Sequence, residues 1–152
     1  MNIAALQRKQ LSRKIAEFER LTGALPPAGG WLKAIRTALG VSLEQLGNKL
    51  EISRQSVMAL EIREKSQSIT LRSLAEAAEA MDLQLVYALV PKDGTLDALI
   101  ERKAEELARK IVTRTSQSMK LEGQENSADR LVEAFEERKA DILQKMPKAL
   151  WD

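Results

Sequence analysis

The sequence contains no cysteine and no histidine. Without cysteine, disulfide bridges and thiolate metal sites are excluded. Without histidine, the chain lacks both the commonest general base and the commonest protein ligand for metals. An enzyme built on Asp, Glu, Lys or Ser stays open, but the sequence has neither a glycine-rich phosphate loop nor a nucleophile motif. We therefore expect a protein that is not an enzyme and that holds no metal or other cofactor.

Aromatic residues and long hydrophobic runs are also scarce. Aromatic residues make up only 3% of the 152 residues, whereas apolar residues make up 44%. The expected core is therefore aliphatic. The longest apolar run, near 83–90, is far too short to span a membrane. The N-terminal stretch M-N-I-A-A-L-Q-R-K-Q lacks the apolar region and cleavage site of a signal peptide, so we expect a cytoplasmic protein.

The charges are unevenly distributed, although the net charge is only +2. Residues 1–75 carry 12 basic and 6 acidic side chains, a net charge of +6. Residues 76–152 carry 12 basic and 16 acidic side chains, a net charge of −4. The basic half indicates a polyanionic partner, and the acidic half indicates a different one.

Apolar periodicity and capping residues predict a mainly helical chain. Ser42 followed by Gln45 is typical of a capping box, and Ser53 and Thr70 are further candidate N-caps. Gly23 and the pair Pro26-Pro27 end the first helix. The predicted helices cover 2–22, 31–40, 43–50, 54–61, 70–81, 96–121 and 128–146.

Residues 83–90, L-Q-L-V-Y-A-L-V, alternate with the period of a strand, and Pro91 ends the pattern. A single strand cannot satisfy its own backbone hydrogen-bonding groups, so it needs a partner. Because the chain contains no second strand, the simplest partner is the same segment of another copy. We expect a homodimer joined by a two-stranded antiparallel ribbon through residues 83–90. The alternative is an extended segment that packs on its own monomer.

The stretch V-S-L-E-Q-L-G-N-K-L-E-I-S-R-Q-S-V-M-A-L-E, residues 41–61, resembles the helix-turn-helix of phage repressors. The resemblance implies a five-helix DNA-binding domain over 28–91, including the dimerisation strand. An N-terminal helix and loop over 1–27 precede it, and a C-terminal helical region over 92–152 follows. A helix-turn-helix retained only for packing is the alternative.

The resemblance also implies a role for individual residues. In that family the second helix reads bases from its N-terminal end, which places Arg54 and Gln55 at the base edges. Arginine suits guanine and glutamine suits adenine in the major groove. Arg36 and Glu61 match a family pair, and we expect an ion pair between them. The other expected DNA contacts are Met58 and Ala59 along the helix, and Ser42, Asn48, Ser53, Ser56, Arg63, Lys65 and Lys33 at phosphates.

One residue of this set departs from the family pattern. Many relatives carry a longer polar side chain where this chain has Ala59. A methyl group cannot hydrogen-bond to a base, so we expect fewer direct base contacts rather than a loss of binding.

Residues 118–123, S-M-K-L-E-G, match the pattern Ser/Thr-x-x-x-Glu-Gly/Asn. The segment resembles the inhibitory helix of antitoxins that restrain Fic-domain AMP-transferases. That resemblance implies that Glu122 pairs with an arginine of the partner that would otherwise hold the ATP γ-phosphate. Residues four apart share one helix face, so Ser118 and Glu122 point the same way, and Gly123 can end the helix. The alternative is an ordinary helix C-terminus.

From W-L-K-A-I-R-T-A-L-G through V-P-K to the terminal L-W-D, the chain resembles the mobile mystery protein A family. Such proteins are found beside a companion, mobile mystery protein B, that carries a Fic domain. The resemblance implies an antitoxin that inhibits its Fic partner and represses its own operon by binding operator DNA. A plain helix-turn-helix regulator with a helical dimerisation or sensing region is the other hypothesis.

Overall fold

The structure, a computed structural model, describes residues 2–121 and 127–152. Within those ranges the fold is all-helical and consists of seven α-helices and a short 3-10 helix at Lys148–Trp151. The helical part of the prediction from apolar periodicity and capping is thus confirmed. The α-helices are α1 (Ile3–Glu19), α2 (Trp31–Ala38), α3 (Leu43–Leu50), α4 (Arg54–Lys65), α5 (Leu71–Ala80), α6 (Leu96–Leu121) and α7 (Ala128–Lys145).

The chain divides into two units, and α1 belongs with the C-terminal helices. One unit comprises Met1–Thr22 and Leu89–Asp152, and the other comprises Gly23–Ala88. The Gly23–Ala88 unit contains four helices, α2 to α5, so the expectation of five helices in this domain was wrong. Its buried core consists of Leu32 on α2, Leu46 on α3, Val57 on α4, Ala77 on α5 and Met81 directly after α5.

The helix starts in this unit follow local sequence. Ser42 Oγ accepts the N–H of Gln45 at 3.0 Å, and Gln45 Oε1 accepts the N–H of Ser42 at 2.8 Å. This reciprocal pair satisfies two backbone donors that a helix start leaves open. Ser53 and Thr70 cap α4 and α5 through a single bond each, in which the hydroxyl accepts the backbone N–H three residues on.

Helix α4 continues a full turn beyond the predicted end at residue 61. The segment I-R-E-K has the polar composition of a loop, and the prediction of a loop there was wrong. Glu61 is buried, and Glu64 binds the start of α2, so tertiary partners stabilise the extra turn. The helix ends at Lys65, and the turn that follows includes Gln67, whose φ of 62° lies in the left-handed region.

The strand predicted at 83–90 does not form within the described chain. These residues lie in neither a helix nor a strand. A strand is defined by hydrogen bonds to a neighbour, and no other segment of residues 2–121 or 127–152 provides them. Leu83 and Leu85 are half-buried, whereas Val86, Tyr87 and Leu89 are exposed.

In the unit that comprises Met1–Thr22 and Leu89–Asp152, α6 packs against α7 and against the terminal 3-10 helix. The buried residues are Ile100, Ala104, Ala108, Ile142 and Leu150. Small residues at 104 and 108 let α7 approach α6 closely. Lys139 on α7 joins the pair at the surface, since its Nζ lies 2.9 Å from Glu105 Oε1 and 3.1 Å from Glu101 Oε1.

Candidate nucleic-acid interface

The first turn of α4 presents Arg54 and Gln55 to solvent. Both side chains are exposed, and neither makes a hydrogen bond or ion pair to another residue in the described ranges. Their donors and acceptors are therefore available to a ligand. An arginine and a glutamine in the exposed first turn of a helix are chemically suited to the edges of guanine and adenine.

Ser53 and Ser56, two of the expected phosphate contacts, are partly committed to each other. Ser53 Oγ accepts the N–H of Ser56 at 3.1 Å and donates to Ser56 Oγ at 2.9 Å. The Ser53 hydroxyl therefore works first as the N-cap of α4. The Ser56 hydroxyl still has its own hydrogen to donate, so of the two it is the better phosphate contact.

Farther along α4, the exposed face becomes apolar. Met58 is 45% exposed and Ile62 is 63% exposed, while Ala59 is half-buried. Met58 and Ile62 follow Arg54 at spacings of four and eight residues, so they continue one side of the helix. Ile62 was not among the residues expected at the interface. A methyl and two longer apolar side chains can contact thymine methyl groups but cannot hydrogen-bond to bases.

Cationic side chains flank this face. Lys33 on α2 and Lys65 on α4 line a cleft of about 280 Å³, together with Met58. Ser42 and Asn48, at the start and end of α3, are exposed. Arg63 is exposed, and its Nε donates to the carbonyl of Ala59 at 3.3 Å. The structure thus brings Lys33, Lys65 and Met58 to one cleft.

Beneath the cleft, Arg36 and Glu61 meet. Arg36 Nη2 lies 2.8 Å from Glu61 Oε1, and Arg36 Nε donates to the same oxygen at 2.9 Å. Their side chains are only 13% and 7% exposed. Arg36 also donates to the carbonyl of Val41 at 3.0 Å. This arrangement joins α2, the turn before α3, and α4, and thereby sets the orientation of α4.

A second connection, which the sequence did not reveal, runs from Glu64 to the start of α2. The N–H of Trp31 donates to Glu64 Oε2 at 2.7 Å, and the N–H of Leu32 donates to Oε1 at 2.8 Å. Gly30 precedes them with a φ of 91°, and a Cβ there would lie 2.9 Å from Glu64 Oε1. Glu64 therefore replaces the side-chain N-cap that a glycine cannot supply.

Gly47 sets the distance between α3 and the turn that leads to α4. A Cβ at this position would lie 2.7 Å from the carbonyl oxygen of Ile52. Real Cβ atoms do not approach backbone oxygen that closely, so only glycine fits without a shift. The tight turn, and with it the placement of Arg54, depends on this residue.

The segment 118–123 is only partly described. Ser118 is exposed near the C-terminal end of α6. Glu122 and Gly123, which carry the predicted inhibitory contact, lie outside the described residues. Their role therefore stays a prediction from the sequence.

Among the described residues, no group of three or more acidic, histidine or cysteine side chains is placed to hold a metal ion. No helix in that part of the chain is long and apolar enough to cross a membrane. Comparison of the chain with protein-family models, with curated proteins and with solved structures gives no match. The resemblances to phage repressors and to the mobile mystery protein A family therefore stay interpretations of the sequence.

Proposed function

We propose that this protein binds specific double-stranded DNA, with α3 and α4 acting as a helix-turn-helix and α4 entering the major groove. The observation that carries the proposal is the state of Arg54 and Gln55. Both are exposed at the first turn of α4, and neither has a partner among the described residues. The major groove of DNA is wide enough to admit an α-helix. Side chains in the exposed first turn of such a helix can reach the base edges.

The charge on α4 favours the same partner. The helix carries three basic side chains, Arg54, Arg63 and Lys65, and all are exposed. Its two carboxylates, Glu61 and Glu64, turn inward and are neutralised by Arg36 and by the positive end of α2. The outward side of α4 is therefore positive, although the helix has only one net positive charge.

Selection from a random duplex library tests this proposal. Wild type is expected to enrich a defined sequence. Arg54→Ala is expected to lose about 1–3 kcal/mol of discrimination at one position, most simply a G·C pair, and Gln55→Ala a similar amount at a neighbouring position. Arg72→Ala, which removes an exposed arginine from α5, is the matched control: it can lower affinity but is expected to leave the preferred sequence unchanged. No enrichment by the wild type, or the same sequence enriched by all variants, contradicts the proposal.

We further propose that the C-terminal helices inhibit a Fic-domain AMP-transferase, so that the protein is an antitoxin that represses its own operon. The support is the motif S-M-K-L-E-G, residues 118–123, and the resemblance to mobile mystery protein A. A carboxylate can accept an arginine fork through two hydrogen bonds, as a phosphate does. Glu122 is proposed to pair with the arginine of the Fic partner that would otherwise hold the ATP γ-phosphate.

This second part is tested with a Fic-domain protein of the mobile mystery protein B type, mixed with wild type or with Glu122→Gly. AMP transfer is followed from labelled ATP, including self-modification. The variant is expected to form the complex but to permit transfer, while Glu125→Gly, the same change outside the motif, is expected to inhibit like wild type. Equal transfer with wild type and Glu122→Gly would contradict inhibition by this segment. The protein would then be a DNA-binding regulator whose C-terminal helices have another role.

A further inference from the structure

Helix α1 gives its unit a positive charge. Residues 1–22 carry five basic and two acidic side chains, a net charge of +3. Residues 89–152, the rest of that unit, carry 12 basic and 13 acidic side chains, a net charge of −1. None of the basic residues of α1 belongs to the candidate interface on α4. A positive helix on an otherwise slightly acidic body indicates a polyanionic partner.

Three of these basic residues form a stripe along one side of the helix. Arg13 follows Lys9 by four residues and Arg20 follows Arg13 by seven, which are about one and two helical turns. Arg20, the C-cap, continues the helical conformation with a φ of −60° and a ψ of −18°. All three side chains are exposed, and none makes a hydrogen bond or ion pair to another residue in the described ranges. The stripe therefore presents three cations that no described residue neutralises, over about 16 Å of helix.

A different side of α1 packs on its own unit. Arg8, Ser12, Ile15 and Phe18 are half-buried there, and α1 contacts α6. Arg8 Nε lies 3.5 Å from Asp97 Oδ1, in the first turn of α6. Arg8 is thus turned to the body of the unit, and this packing directs the stripe to solvent.

The two carboxylates of α1 do not neutralise the stripe. Glu19 is directed to the turn before α6, since a Cβ on Gly94 would lie 3.4 Å from its Oε1. Glu17 is exposed, but Lys14 is exposed as well and offsets its charge. The solvent side of the helix therefore keeps the positive charge of the three-residue stripe.

We infer that α1 binds the phosphate backbone of the same DNA duplex that α4 reads, through Lys9, Arg13 and Arg20. This inference rests on the proposed function of α4. Residues 21–30 join Arg20 to α2 and span at most about 40 Å when fully extended, little more than one turn of duplex. This short tether makes the second contact an intramolecular one, so a weak electrostatic contact adds usefully to affinity. Phosphate contacts carry no sequence information, so α1 adds affinity and not base preference.

The salt dependence of DNA affinity tests the inference. Each phosphate contact contributes about 0.9 to the slope of log affinity against log salt concentration. The triple variant Lys9→Gln, Arg13→Gln, Arg20→Gln is therefore expected to lower the magnitude of that slope by about 2–3. It is expected to enrich the same sequence as wild type, because the residues that face the bases are unchanged.

The matched control removes three exposed basic side chains from α6 of the same unit. It is the triple variant Lys110→Gln, Arg114→Gln, Lys120→Gln, which changes the net charge by the same amount. Its slope is expected to stay within about 0.5 of the wild-type slope. Both triple variants change only exposed positions, so both are expected to retain wild-type circular dichroism.

The length of the duplex gives a second readout. At low salt, extending a duplex that holds only the selected site by about ten base pairs on each side is expected to raise wild-type affinity about tenfold or more. The α1 variant is expected to gain little from the extension. Equal slopes for wild type and the α1 variant, or equal losses of slope in the α1 and α6 variants, would overturn the inference. If the wild type still enriches a defined sequence in that case, reading of DNA by α4 stands, whereas absence of enrichment contradicts both.

Discussion

Arg36 and Glu61 form a nearly buried ion pair, with Nη2 of the arginine 2.8 Å from Oε1 of the glutamate. Arg36 lies on α2, and Glu61 lies on the inward side of α4, two turns beyond Arg54. The pair fixes α4 against the body of its unit. The exposed face of α4 is thus presented by a helix that cannot easily rotate.

We predict that Arg36→Met destabilises the protein by about 3–5 kcal/mol, because it leaves the carboxylate of Glu61 buried without its partner. Arg36→Met combined with Glu61→Leu is expected to recover much of this loss, since two apolar side chains of similar volume need no charge partner. Urea unfolding of the two single variants and the double variant measures the coupling. Strictly additive losses would show that the two residues do not act as a pair.

Gly47→Ala is predicted to be destabilising although alanine favours helix. The gain in helix propensity is about 1 kcal/mol. It is outweighed by the contact of the new methyl with the carbonyl oxygen of Ile52, which forces a backbone shift that costs about 1–3 kcal/mol. Gly23→Ala is the matched control, because a Cβ there meets no atom within 4 Å. A stability for Gly47→Ala equal to or above wild type would refute the close approach of the turn.

Glu64→Ala is predicted to lower the free energy of unfolding by about 1–2 kcal/mol, since it leaves the N–H groups of Trp31 and Leu32 without acceptors. Glu76→Ala, which removes an exposed glutamate from α5, is expected to change stability by less than about 0.5 kcal/mol. Both are measured by urea unfolding. Equal losses in the two variants would argue against capping by Glu64.

The C-terminal helices are predicted to lose stability in mild acid. The hydrogen bond from Arg102 holds the pKa of the Asp93 carboxyl below its usual range, and that of Glu106 as well. A carboxyl whose pKa is lowered by folding stabilises the fold above its unfolded-state pKa, and this contribution disappears as pH falls through the folded-state value. The Tm is therefore expected to decline as pH falls below about 4.5.

Arg102→Gln is the variant that isolates this effect. It is expected to lower the Tm slightly at neutral pH and to flatten the decline in acid, because neither carboxyl then has its strongest partner. Calorimetric scans between neutral pH and about pH 3 measure both slopes. An unchanged acid slope in Arg102→Gln would assign the decline to other carboxylates.

At alkaline pH, Lys139 makes the stability of the fold depend on pH in the opposite direction, so that stability falls as pH rises. Hydrogen bonds to Glu105, and secondarily to Glu101, raise the pKa of its ammonium group. A cation whose pKa is raised by folding stabilises the fold below its unfolded-state pKa, and the contribution is lost as pH rises through the folded-state value. Lys139→Gln is expected to lower the Tm by a few degrees at pH 8, and the difference from wild type to shrink above about pH 11. A difference that persists unchanged there would assign the effect to packing.

The sequence predicted most helix starts because the signals that set them are local. Ser42, Ser53 and Thr70 cap their helices through side chains three residues away from the donors they satisfy. The end of α4 was mispredicted because its last turn depends on partners about thirty residues away, at Trp31 and Leu32. No local pattern marks such a contact.

For the candidate site, the sequence identified the residue types but not their exposure or their hydrogen-bonding partners. The sequence places Arg54 and Gln55 at a helix start, whereas only the structure gives their exposure and lack of partners within the described chain. The commitment of the Ser53 hydroxyl to Ser56 and the capping role of Glu64 both depend on three-dimensional geometry. The period-two pattern at 83–90 predicted a strand, but these residues lie in neither a helix nor a strand, because no other segment of the described chain pairs with them.

The most direct test of the central claim is the affinity of the protein for its selected duplex and for a scrambled duplex of equal length, across a range of salt concentrations. We predict that wild type prefers the selected duplex by at least about a thousandfold. The double variant Arg54→Ala, Gln55→Ala is expected to bind both duplexes with similar, salt-dependent affinity, because the phosphate contacts remain. Wild type that binds the two duplexes equally, or a double variant that still prefers the selected one, would contradict recognition of DNA by α4.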